Sequence, residues 1–124
     1  MSRLTGFAAV AVALMALCVA GCKKNSAPEP PEVQGPGAGK PGATVAFGFT
    51  STDPDGDDVW YMVSWGDGTT TDWSSAHPSG EQFVQTHVYP DSGAYFIKAK
   101  AKDFNQTKSD WSGSVQLAVG LFAP

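Results

Sequence analysis

From Thr44 onward, apolar side chains recur at every second position in four short stretches. Val45, Phe47 and Phe49 form the first set; Val59, Tyr61, Val63 and Trp65 the second; Tyr95, Ile97, Ala99 and Ala101 the third; Val115, Leu117 and Val119 the fourth. A period of two puts each set on one face of a β-strand, so every stretch predicts a strand with one side to bury. Turn signals separate them. Asp53-Pro54-Asp55-Gly56 places Asp, Pro and Gly where a type I turn takes them, and Asp67-Gly68 between strand-like runs signals a hairpin. Short strands at this spacing predict an all-β sandwich.

Ahead of the strands the pattern is different. Met1-Ser2-Arg3 gives a short positive start, and Leu4 to Ala20 is almost continuously apolar. That is the layout of an export signal, and it is short for a membrane span, which needs about 20 apolar residues. Val19-Ala20-Gly21-Cys22 resemble the lipobox of bacterial lipoproteins. The resemblance implies cleavage after residue 21 and lipidation of Cys22, and several acyl chains on one residue give stable membrane anchoring. Lys23 and Lys24 follow, with no aspartate; by resemblance to enterobacterial sorting this favours the outer membrane. Asn25 to Pro31 is polar and proline-rich, so Lys23–Pro31 reads as a tether of about 28 Å in polyproline II form. The expected organisation is a signal over 1–21, a lipidated cysteine and linker over 22–32, and a sandwich over 33–124.

Composition narrows the function classes. Twelve acidic residues against eight basic ones give a net charge of −4, which argues against nucleic acid as a partner because phosphate binding needs clustered Lys and Arg. Lys98, Lys100 and Lys102 do alternate along one strand, a pattern that reads as a solvated or edge-protecting face. The only cysteines are Cys18 and Cys22, so the sandwich has no disulfide and packing must hold it.

The landmarks also come in a telling order. Asp53-Pro-Asp-Gly-Asp-Asp58 is followed by Trp65-Gly-Asp-Gly-Thr69, His87-Val-Tyr89, Gly93-Ala-Tyr95 and Ser109-Asp-Trp-Ser112. This series resembles PKD domains, which implies an immunoglobulin-like antiparallel β-sandwich used for adhesion, spacing or carbohydrate contact. Asp91 to Tyr95 resembles the tyrosine corner of such folds, in which the phenol bonds back to upstream backbone. Val63 stands where many PKD domains carry a core tryptophan, and Trp65 is expected to supply the missing bulk. Fibronectin type III is the nearest alternative sandwich.

Candidate chemistry is sparse. Asp53, Asp55, Asp57 and Asp58 offer hard oxygens to a calcium ion, with Asp103 or Asp110 as additions if their loops share that end; the same residues also suit a polar turn closed by Asx bonds. Trp60, Trp73, Phe96, Phe104 and Trp111 cannot all fit in one small core, so Trp60, Trp73 and Trp111 are candidate contacts for a sugar ring or a protein partner, or else covers of the sheet face. His87 is expected to bond backbone, His77 to lie in a loop, and Asp67 to be solvated between its glycines. No nucleophile elbow, metalloprotease histidine pair or phosphate loop is present, and no enzyme is expected. The sequence therefore predicts a membrane-anchored, envelope-facing, non-catalytic module that contacts polysaccharide or protein. Its alternatives are a structural subunit of an envelope complex, or an adhesion module with a calcium-stabilised loop.

Overall fold

The computed structural model describes residues 24–120, so the expected signal over 1–21, Cys22 and residues 121–124 lie outside the described part. Seven strands follow one another: β1 (Glu32–Gln34), β2 (Ala38–Gly39), β3 (Thr44–Thr50), β4 (Trp60–Ser64), β5 (Phe83–Val88), β6 (Gly93–Lys102) and β7 (Val115–Val119). They form two sheets, in the orders β1-β3-β5 and β2-β7-β6-β4. Every pairing is antiparallel except the short one between β2 and β7. The four alternating stretches of the sequence are β3, β4, β6 and β7.

The alternation fixes which faces meet. Phe47 and Phe49 from one sheet and Tyr61, Val63, Ile97, Ala99, Ala101 and Leu117 from the other are buried between the layers. Burial of these faces supplies the driving force for the fold, at about 25 cal/mol per Å² of apolar surface. Trp65, directly after β4, stands edge-on to both Phe47 and Phe49, with ring centroids 6.1 and 6.2 Å away. It fills the core beside the slimmer Val63, as the sequence suggested. The Tyr95 hydroxyl donates to the Asp91 carbonyl at 2.8 Å, which closes the tyrosine corner.

β6 holds the larger sheet together. Its first half, Gly93–Ile97, pairs with β7, and its second half, Lys98–Lys102, pairs with β4. Beyond these pairings the edges are finished by two irregular runs with the same sequence logic. In Thr71-Asp72-Trp73-Ser74, the Thr71 and Ser74 amides donate to the Val63 and Tyr61 carbonyls. Their hydroxyls accept the Val63 and Tyr61 amides in return, at 3.0 and 2.9 Å. In Ser109-Asp110-Trp111-Ser112, Ser109 and Ser112 treat Ala101 and Ala99 of β6 in the same way. Each motif thus satisfies backbone polar groups in pairs, although its backbone is not a strand.

The segment expected to be a tether does not hang free. Pro28 and Pro31 are buried, the Glu29 amide donates to the Thr52 carbonyl at 2.9 Å, and the Ser51 hydroxyl donates to the Glu29 carbonyl at 2.6 Å. Described residues from Asn25 to Pro31 therefore belong to the surface of the sandwich. His77 is likewise more than a loop residue: it bridges to Val59, and its ring packs 4.7 Å from Phe83.

Candidate functional site

Three features outside the core carry side-chain chemistry. The first sits where β3 and β6 end. Asp53 opens a turn closed by the Gly56 amide on its carbonyl, and its Oδ2 accepts the amides of Asp55 and Asp57, each at 3.0 Å. Asp103 opens the same turn with Gln106, and its Oδ1 accepts the amides of Asn105 and Thr107 at 2.9 and 3.0 Å. Gly56 and Gln106 both take the left-handed conformation, with φ of 76° and 67°. Two loops far apart in sequence are thus built alike, and they face one another: carboxylate oxygens of Asp53, Asp57 and Asp103 all lie within 4.8 Å. Partial loss of hydration, then the nearby carboxylates of Asp53, Asp55, Asp103 and Asp58, push the Asp57 carboxyl above its usual range.

Of the aspartates singled out in the sequence, Asp53 and Asp57 converge. Asp55 instead accepts the Ser26 amide at 2.8 Å, and Asp58 stands outside the group. The third member is Asp103, whose contribution depended on the loop after β6 reaching this end of the sandwich. The signal for it is an echo of the first loop: Asp53-Pro-Asp-Gly and Asp103-Phe-Asn-Gln share an aspartate followed two residues later by Asp or Asn.

The second feature is the outer face of β4 and β6. Trp60 and Met62 on β4 point away from the core, opposite Lys102 and Lys100 of β6. Trp111 receives the ammoniums of Lys98 and Lys100 at 5.1 and 4.8 Å from its ring centre; Trp73 receives those of Lys100 and Lys102 at 5.9 and 4.7 Å. The result is a ladder in the order Lys98, Trp111, Lys100, Trp73, Lys102. Each cation–π contact at such a half-exposed place contributes about 0.5–1 kcal/mol. Trp60, Trp73 and Trp111 are therefore gathered on one face, and the twin Thr/Ser-Asp-Trp-Ser motifs place two of them. Repetition of that tetrapeptide was the sequence signal for the ladder. Phe96 is exposed on the same outer face of β6, two residues before Lys98, and Phe104 is exposed in the loop after β6.

The third is the tight turn after β4. His87 lies flat on the Trp65 indole, 4.6 Å away and 7° from parallel, and its Nε2 meets Asp67 Oδ2 at 2.8 Å. Asp67 Oδ1 also accepts from the amide and hydroxyl of Thr69. Asp67 is not the freely solvated carboxylate its flanking glycines suggested, and His87 bonds a side chain instead of backbone. Desolvation alone would raise the Asp67 carboxyl, but the bonds from Thr69 and His87 outweigh it and hold it below its usual 3.8. A carboxyl lowered on folding stabilises the folded state fully above about pH 4, and that contribution is lost as pH falls through the lowered value. Between pH 5 and pH 2 the urea midpoint of the native chain is thus expected to fall more steeply than that of Asp67→Asn. Parallel curves for the two would show that the clasp adds nothing to acid sensitivity.

Two antiparallel-rich sheets packed face to face, joined by a tyrosine corner and a tight Trp-Gly-Asp-Gly turn, define an immunoglobulin-like β-sandwich. The family model of the PKD domain matches residues 32–112, and this chain belongs to that family. It is similar to the PKD domain of an M14-like peptidase from Thermoplasmatales archaeon SCGC AB-540-F20, with 38% identity and a TM-score of 0.73 over 77% of this chain and 98% of that one. The PKD domain of the human VPS10 domain-containing receptor SorCS2 shares the fold at 20% identity and a TM-score of 0.51, over 100% of this chain and 99% of that one. No curated protein matches the chain. PKD domains are typically accessory modules of extracellular proteins such as peptidases.

Proposed function

We propose that this chain is a non-catalytic binding module, held at the bacterial outer membrane by lipid on Cys22, that presents the outer face of β4 and β6 to an acidic polysaccharide. The observation that carries the reading is the ladder of Lys98, Lys100 and Lys102 with Trp73 and Trp111. The indoles add apolar contact area for the C–H side of sugar rings, and a row of ammoniums donates charge-assisted hydrogen bonds to carboxylates. In a chain of net charge −4 this concentration of lysines is local, so an anionic polymer would be drawn to this face. No pocket opens among the described residues, which suits a long polymer laid across a sheet. The anchor rests on the lipobox-like residues 19–22 and the apolar run before them.

Affinity electrophoresis through gels containing a polyuronate tests the ligand. The native chain is expected to be retarded, far less so in a neutral glucan gel, and the Lys98→Gln/Lys102→Gln variant is expected to bind at least tenfold more weakly with an unchanged circular dichroism spectrum. Exposed Val84 and Val88 on β5 favour a second reading, a structural subunit that docks on a neighbouring protein. Absence of retardation in every glycan, together with crosslinking in intact cells through Val84 or Val88 to a single protein, would replace the first reading with the second.

A further inference from the structure

We propose that Asn105 is the acceptor of an N-linked oligosaccharide, and that Phe104 packs against its first sugar. The proposal rests on the export reading of residues 1–22, since N-linked transfer belongs to secreted chains. Transfer needs an asparagine with a hydroxyl residue two positions on, and Asn105-Gln106-Thr107 supplies both. The other asparagine, Asn25, is followed by Ser26-Ala27 and lacks the pattern. A pattern this short recurs by chance, and what distinguishes this one is its place in the fold.

The turn after β6 is fixed from behind and open in front. The Gln106 amide donates to the Asp103 carbonyl at 3.0 Å, which makes Phe104 and Asn105 the two central residues of the reversal. Asp103 is buried, and its Oδ1 accepts the amides of Asn105 and Thr107 at 2.9 and 3.0 Å. Those bonds hold the backbone and leave the tip to solvent, with Phe104, Asn105 and Gln106 all exposed. The Asn105 side-chain amide has no hydrogen-bond partner among the described residues, so an enzyme can take it without breaking a contact. The Thr107 hydroxyl accepts a bond from Asn25 at 3.2 Å and keeps its own hydrogen to donate.

Phe104 is the second observation. At 72% it is the most exposed large apolar side chain among the described residues, and no other ring packs on it there. A single exposed phenylalanine is ordinary on a surface. This one adjoins the acceptor at the tip of the same turn. A pyranose on Asn105 Nδ2 is tethered within reach of that ring, and its C–H face would cover apolar surface that the sandwich leaves wet.

The step balances with a donor of one class, an oligosaccharide on a polyprenyl diphosphate. The Asn105 Nδ2 bonds to the anomeric carbon, the bond from that carbon to the diphosphate oxygen breaks, and its electron pair leaves with the polyprenyl diphosphate. The amide nitrogen gives up one proton to a base of the transferase.

The test uses the full chain purified from its own cells and cut with trypsin. Cleavage after Lys102 and Lys108 frees residues 103–108, a peptide that holds the whole pattern. Mass spectrometry is expected to find it carrying an oligosaccharide on Asn105, with complete loss in Asn105→Gln and Thr107→Ala and retention in Thr107→Ser. Asn105→Gln alters only an exposed side chain, so its loss is not a folding failure. The glycosylated chain should also melt about 4 °C above Asn105→Gln from the same cells, and that gain should vanish when Phe104→Ala is added to both. A bare peptide on a chain whose mature N-terminus is a lipidated Cys22 would overturn the glycan and leave the anchor standing. A bare peptide on a chain that still carries residues 1–21 would overturn both. An undiminished gain with Phe104→Ala would overturn the part given to Phe104.

Discussion

Gly66→Ala is expected to remove at least 3 kcal/mol of stability, a large part of the roughly 5–15 kcal/mol that holds a domain of this size. Two effects combine at this position. Gly66 has a φ of 81°, in the left-handed region where a side chain is strained by about 1 kcal/mol or more. A Cβ there would also lie 2.5 Å from the carbonyl oxygen and 2.6 Å from the nitrogen of Phe96. Those are backbone atoms of β6, held by pairing with β7, and they cannot swing aside like the end of a side chain. Gly68→Ala is the control. Its φ is 92°, but nothing stands within 4 Å of the added carbon, so only the conformational strain should register. Urea unfolding followed by far-ultraviolet circular dichroism separates the two, and equal losses would mean that close approach to Phe96 is unimportant.

Trp65→Ala is expected to destabilise by about 4 kcal/mol, the usual range for emptying a large aromatic site in a close-packed core. Trp65 is 2% exposed, edge-on to Phe47 and Phe49, and covered on one face by His87. Its carbonyl also accepts the buried Tyr89 hydroxyl at 2.7 Å. The substitution leaves that backbone bond possible while it empties the space between the two phenylalanines and unseats the imidazole. Trp65→Phe should restore about half of the loss, because one ring still reaches the pair. The same denaturation experiment reads both variants, and a cost below 1 kcal/mol for Trp65→Ala would show that the site can collapse.

The two predictions concern a turn whose existence was plain in the sequence and whose contacts were not. Trp65-Gly-Asp-Gly-Thr69 announced a reversal, yet nothing local says that Phe96 backbone will press against Gly66 or that His87 will reach Asp67. The strands divide similarly. β3, β4, β6 and β7 bury every second residue, and the buried residues are apolar, so the period showed them. β5 defeats the same reasoning, because Val84 and Val88 face solvent while Gln85 and His87 face inward. Its two valines sit on the solvent phase and only Phe83 is apolar on the inward one, so only the PKD-like His87-Val-Tyr89 marked a strand there. β1 and β2 are too short to show any period. The acid cluster was half legible: Asp53 and Asp57 share one turn, but Asp103 joins them through the pairing of β6 with β4, which brings the end of one strand near the start of the other. That convergence is a property of topology, and a linear pattern does not encode it.

The paired tetrapeptides have a consequence for solubility. An exposed strand edge is a template on which a second chain can add, amide to carbonyl, and long flat edges are where sandwiches begin to aggregate. Along β4 and the second half of β6 the amides and carbonyls that would receive such a strand are already taken, at Tyr61, Val63, Ala99 and Ala101, by Thr71, Ser74, Ser112 and Ser109. Because one residue supplies both the donor and the acceptor, the run that seals the edge needs no strand of its own and leaves no fresh ladder on its far side. The larger sheet is closed to growth at these positions, so a second copy cannot add a strand there.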